Sequence, residues 1–184
     1  ENNLQFTINF AATDFDGDKV GGSISIDVDD DTPVAGWNCT VRLDDDALTG
    51  GNPGGVGDNV DSAHATGTLA HSYGADGAGT LLLTGATLPD GFTQDVSPDG
   101  LTLTISQNGT PVLKIELSND ADGSYTVTQL APIQHETGAD ENNVQFTIAY
   151  EVTDGDGDPV SGSLTIDVDD DTPVTAWNCT VRLD

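Results

Sequence analysis

The sequence predicts an all-β fold: an immunoglobulin-like antiparallel β-sandwich repeat. Three observations predict it. Apolar residues alternate with polar ones over many short stretches, the mark of strands with one face on a core. Gly, Asn, Asp and Pro punctuate those stretches at roughly 8–14-residue spacing, as in sandwiches. The chain also copies itself. Residues 1–44 (ENNLQFTINFAATDFDGDKVGGSISIDVDDDTPVAGWNCTVRLD) return at 141–184 as ENNVQFTIAYEVTDGDGDPVSGSLTIDVDDDTPVTAWNCTVRLD, with no insertion or deletion. The period is 140 residues, so the chain reads as one full unit plus the start of the next. Tandem arrays are quasi-one-dimensional, and each unit mainly contacts its neighbours.

The strands follow in order. Leu4, Phe6, Ile8 and Phe10 alternate with polar residues, and Ile24, Ile26 and Val28 do the same. Leu101, Leu103 and Ile105 mark a middle strand, followed by Leu113, Ile115 and Leu117, then Tyr125 and Val127. The second copy supplies Val144, Phe146, Ile148, Tyr150 and Val152, then Leu164, Ile166 and Val168. Pro89-Asp90-Gly91, Pro98-Asp99-Gly100, Asn108-Gly109 and Asp122-Gly123 are turn signals. Residues 105–112 read as a hairpin centred on Asn108-Gly109. No stretch carries a helical stripe. Roughly seven to nine strands per period suit an immunoglobulin-like unit.

Asp44 to Asn59 is rich in Gly, Pro and Asp and reads as a long loop. Asp29-Asp30-Asp31-Thr32-Pro33 and its copy, Asp169 to Pro173, each follow a strand. Proline denies a ladder hydrogen bond and biases the preceding residue toward extended geometry, so these tracts read as unit boundaries. One division makes 1–33 the C-terminal part of a preceding repeat, 34–173 one full repeat, and 174–184 the start of the next. The other is a split unit, in which strands from 1–31 complete a sheet with 45–140.

Charge narrows the function. There are 32 Asp and Glu against four Lys and Arg, a formal net charge of −28. Self-repulsion on that scale opposes a compact state, and the basic residues are too few to offset it by pairing. Bound divalent cations would. The charge argues against nucleic acid, which needs a basic surface, and against docking on anionic lipid. No run of about 18 apolar residues is present to insert in a membrane. Cys39 and Cys179 occupy the same repeat position, so a repeat holds one thiol and no internal disulfide; each reads as a small strand residue. Asn38-Cys39-Thr40 and its copy match the glycosylation acceptor pattern, which arises often by chance.

The strongest local motif is Asp14-Phe15-Asp16-Gly17-Asp18, repeated as Asp154-Gly155-Asp156-Gly157-Asp158. Three carboxylates at alternate positions around a Gly turn can converge on one hard cation, and calcium accepts six to eight oxygens at flexible geometry. The competing reading is a solvated hairpin turn. It is not an EF-hand: Lys19 or Pro159 stands where that loop needs Gly, and Ser25 or Thr165 where it needs Glu. A second cluster is Asp27, Asp29, Asp30 and Asp31, copied as Asp167, Asp169, Asp170 and Asp171. With calcium it could clamp adjacent units, and Asp44-Asp45-Asp46 could supply further oxygens. Without calcium it would be a charged flexible linker. Gly54-Gly55-Val56-Gly57-Asp58 reads as a loop.

Catalysis finds no support. His64, His71 and His135 have no nucleophile or ligand spacing and read as surface or structural histidines. There is no Gly-x-Ser-x-Gly, no zinc-binding His pair and no phosphate loop, so the chain is read as no enzyme. Trp37 and Trp177 are expected to pack at a junction between units.

The tandem unit, the DxDGD turn, the IDVDDDTP terminus, the GGNPGG loop and the acidity together resemble the extender repeats of giant RTX adhesins, the type I-secreted biofilm proteins of Gram-negative bacteria. The resemblance covers essentially the whole chain. It implies calcium-rigidified immunoglobulin-like repeats on the extracellular face, projecting a distal binding domain from an outer-membrane-anchored parent. It implies Ca2+ on Asp14, Asp16, Asp18, Asp29 and Asp31, and on Asp154, Asp156, Asp158, Asp169 and Asp171. One cysteine per repeat departs from that pattern. The expected partners are neighbouring repeats of the same chain, with weak self-association and a distal ligand the sequence does not name. The alternative function is a module that itself binds a glycan or surface, which would need an aromatic platform or polar pocket; aromatic residues make up 5% of the chain.

Overall fold

The structure, a computed structural model, describes residues 3–52, 62–138 and 142–173. The strands are β1 (Leu4–Thr13), β2 (Lys19–Val28), β3 (Val34–Ala35), β4 (Val41–Asp44), β5 (His64–Thr68), β6 (His71–Ser72) and β7 (Ala78–Thr87), then β8 (Phe92–Val96), β9 (Thr102–Gln107), β10 (Thr110–Leu117), β11 (Ser124–Gln129), β12 (Val144–Asp154) and β13 (Pro159–Asp169). A 3-10 turn at Asp45–Ala47 is the one helical element among the described residues. Among the described residues no helix is long and apolar enough to cross a membrane. The expected segment 174–184, with Trp177 and Cys179, and the loop Gly54–Asp58 lie outside the described residues.

Two sheets enclose one core. The five-stranded sheet runs β5-β11-β10-β9-β8, and the four-stranded sheet runs β4-β13-β12-β7. Among the described residues every ladder is antiparallel except β4 beside β13, which is parallel. The orders β5-β11-β10 and β13-β12-β7 correspond to the B-E-D and G-F-C strands of an immunoglobulin-like sandwich. The core follows from the alternation read in the sequence. Leu103, Ile105, Leu113, Ile115 and Val127 face Phe146, Ile148, Tyr150, Val152, Leu164 and Ile166, all at most 1% exposed. Asn108 and Gly109 link β9 to β10 with φ of 51° and 79°, the two positive φ values of the type I′ turn that suits strand twist.

The two copies of the hairpin have different surroundings. β1 and β2 pair in the register Phe6↔Ile26, Ile8↔Ile24 and Phe10↔Gly22. β12 and β13 repeat it as Phe146↔Ile166, Ile148↔Leu164 and Tyr150↔Gly162. But β12–β13 is flanked by β7 and β4, whereas β1–β2 is a two-stranded sheet of its own. Among the described residues no second sheet packs on the first copy, so Phe6, Ile8 and Phe10 are 49–52% exposed, whereas the five-stranded sheet buries Phe146, Ile148 and Tyr150. The chain joins the sandwich at β3, whose Val34 and Ala35 pair with Ser72 and His71 of β6.

Two expectations need correction. Trp37 does not pack at a junction: it is 82% exposed. Its neighbour Gly36 takes the inward place, donating its N–H to Ala70 O at 2.6 Å, and successive residues of an extended chain point to opposite sides. The loop expected from Asp44 does not begin at the surface. Asp44, Asp45 and Asp46 are buried, because β4 runs into a 3-10 turn that the Asp44 side chain caps by accepting from Asp46 N at 2.8 Å.

Candidate metal centre

The two DxDGD turns close their hairpins in the same way. In the first, Asp14 Oδ1 accepts from Gly17 N at 3.1 Å and Asp18 N at 2.9 Å. In the second, Asp154 Oδ1 accepts from Gly157 N at 3.1 Å and Asp158 N at 2.8 Å. Gly17 and Gly157 hold φ of 103° and 109°, a backbone that other residues rarely adopt. Each turn brings three carboxylates together: Asp14, Asp16 and Asp18, and Asp154, Asp156 and Asp158, with one oxygen of each within 4.8 Å of the others. The hydrogen bond with Asp16, then the Asp18 amide, holds the Asp14 carboxyl below the usual range. Burial pushes Asp154 up, but the amides of Asp158 and Gly157 and the bond with Asp156 outweigh it. Asp156 is pushed up to about 6 by that shared bond, by desolvation and by the charges of Asp30, Asp154 and Asp76.

Asp156 also belongs to a second set. Asp30, Asp76 and Asp156 place one oxygen each within 4.8 Å of the others. Asp30 comes from the segment after the first hairpin, Asp76 from the turn before β7, and Asp156 from the second DxDGD turn. The segment is held there by Asp31, whose Oδ2 accepts from Ala75 N at 2.6 Å. Gly155 donates to Gly77 O at 3.0 Å, and a Cβ there would strike the Asp76 carbonyl. In the first copy that position is Phe15, which is fully exposed.

The third set lies where β4 and β13 run side by side. Their parallel register sets Asp167 against Arg42 and Asp169 against Asp44, so two acidic tracts share one edge. Asp44, Asp45, Asp46, Asp167 and Asp169 are all buried. Arg42 reaches Asp167 at 3.9 Å. Asp45 accepts from Gln129 Nε2 and from Ile133 N; burial pushes its carboxyl up to about 7 against those bonds, and the charges of Asp170 and Asp44 add to the rise. His135 lies against it, with Nε2 3.8 Å from Asp45 Oδ2 and 3.9 Å from Asp170 Oδ1. Carboxylates gathered this far from water are costly unless protonated or joined by a cation.

The residues expected from the sequence are thus placed unevenly. The two Asp triplets converge. Asp29 accepts from Asn3 Nδ2 at 2.9 Å, and Asp31 serves the loop contact. Asp169 lies in the buried edge, and Asp171 accepts from Asn52 N at 3.2 Å. Asp30 and Asp170 fall in the acidic cluster, and Asp45 in the tract, that the sequence offers for a calcium clamp, whereas the sequence does not point to Asp76 and reads His135 as a surface or structural histidine. Asp76 and His135 carry no signal, since their neighbours come from distant strands.

A family model covers residues 40–167 of the chain. The chain belongs to the family described as a domain of unknown function (DUF5801). The DUF5801 match takes in β4 to β12 and most of β13, the second DxDGD turn, Asp45 and His135, and leaves out the first hairpin, Asp30 and Asp170. No curated protein matches the chain.

Proposed function

We propose that this DUF5801 chain is a structural extender module of a large bacterial surface adhesin, stiffened by calcium and carrying a distal binding domain away from the cell. It is read as non-catalytic and extracellular, with neighbouring repeats as its partners. The observation that carries the reading is the junction set. Asp30, in the segment that joins one hairpin to the next unit, meets Asp76 and Asp156 of that unit. Oxygen-only donors at flexible geometry suit calcium. An ion shared by the three would tie the segment to the sandwich, and without it their like charges repel. The exposed apolar face of β1–β2 supports the array: in tandem, the opposite sheet of the preceding unit would cover it as the five-stranded sheet covers Phe146, Ile148 and Tyr150.

A ligand that binds only the folded form raises its stability by mass action. Millimolar calcium is therefore expected to raise the melting temperature, and EDTA to reverse the rise. Small-angle scattering should show the maximum dimension growing on calcium addition. A melting curve and scattering profile indifferent to calcium would sink the reading.

A further inference from the structure

The set at Asp45, His135 and Asp170 differs in kind from the Asp-Gly turns. The turns offer oxygen alone. Here an imidazole stands between two carboxylates, and its side chain is 2% exposed. Among the described residues neither ring nitrogen makes a hydrogen bond of ordinary geometry, although the backbone and side chain of Asn142 lie near the ring. A buried, unsatisfied imidazole is costly. Its Nε2 stands 3.8 Å and 3.9 Å from the two carboxylate oxygens, too far for a hydrogen bond and close enough for one ion to bind both ends at about 2 Å.

We propose that Asp45, His135 and Asp170 bind a first-row divalent ion of the zinc class. Calcium selects oxygen, whereas imidazole with carboxylate suits zinc and its neighbours. The surroundings are those of a held ligand set. Gln129 Nε2 and the Ile133 amide each take one oxygen of Asp45 and fix the carboxylate, as outer partners do in metal sites. Asp170 is 24% exposed, so the side of the ion away from the core opens to water.

The test is uptake of Zn2+ by the 184-residue chain in millimolar calcium, read by competition with a chelating dye, and of Co2+ read by its visible absorption. One equivalent is expected, unaffected by calcium. His135→Asn should weaken it by more than about 100-fold, since loss of an outer partner alone costs 10–100-fold. A His64→Asn/His71→Asn double variant should keep it, which separates the site from casual binding at surface histidines. If His135→Asn does not fold, Asp170→Asn, on a partly exposed side chain, should lose the same equivalent. A protonated His135 paired with both carboxylates is the rival account, and it predicts no uptake. Absent uptake, uptake displaced by calcium, or uptake that survives both Asp170→Asn and a folded His135→Asn overturns the proposal. The result does not depend on the stalk reading, because the calcium melting test is scored separately.

Discussion

Tyr150 lies across Gly162 on the neighbouring strand, and a Cβ at Gly162 would land in its ring. The ring is fully buried, and its hydroxyl accepts from Asn38 Nδ2 at 2.9 Å and donates to Ala70 O at 3.3 Å. Asn38 Nδ2 also donates to Ser163 O at 3.0 Å, so the nitrogen a glycan would need already serves the fold. The first copy repeats the pair as Phe10 over Gly22, but Phe10 is 52% exposed and has room to swing away. Gly162→Val should therefore cost about 1–3 kcal/mol in a urea melt, the usual cost of overpacking. Gly22→Val should cost well under half of that; equal costs would refute the packing account. Asp45 sets a pH dependence. In the folded chain it keeps its proton up to about pH 7, whereas unfolded it loses it near pH 4. The folded form holds the extra proton between those values, so stability falls as pH rises through about 7. Burial lowers His135, which works the opposite way, but only below its ordinary value of about 6.5. In EDTA the melting temperature should fall between about pH 6.5 and 7.5, and Asp45→Asn should flatten that fall. A slope that the substitution leaves alone counts against the buried, protonated carboxyl.

At the level of elements, one hairpin sequence appears in two environments. β12–β13 is an interior pair of the four-stranded sheet, and among the described residues β1–β2 has no ladder beyond itself. A lone two-stranded hairpin is marginal in water, and its apolar face of Leu4, Phe6, Ile8, Phe10, Ile24 and Ile26 is 40–56% exposed. Such patches promote association. Deleting residues 1–28 should leave the melting temperature within about 2 °C, because the hairpin lends the core no strand. It should also lower the apparent mass in a light-scattering concentration series. A large loss of stability on deletion would mean that the hairpin supports the sandwich.

For the whole molecule, a charge of −28 on 184 residues is managed by position. The Asp-Gly turns leave most of their carboxylates in water, where repulsion is screened. The β4–β13 edge draws five aspartates out of water, and there the repulsion is not screened. Divalent ions at the turns and at the buried edge would act on separate parts of that charge. Calcium is expected to govern how units align, and a zinc-class ion how tightly β4, β13 and the segment after β11 are held.

Much of this was legible in the sequence because it is local. Period-two alternation at Phe146, Ile148 and Tyr150 places each side chain by its neighbours two residues away, and Asn108-Gly109 specifies its turn by backbone sterics alone. The Asp14 and Asp154 triplets converge because one Gly turn folds five consecutive residues around a point. Tertiary structure decided the rest. Asp45 meets His135 and Asp170 only because β4 runs parallel to β13 and the chain after β11 returns across their ends. Asp30 meets Asp76 and Asp156 only because Gly155 lets a loop approach. Contacts between residues so far apart along the chain are set by which sheet edges pair, and a sequence pattern with a period of two residues carries no information about that.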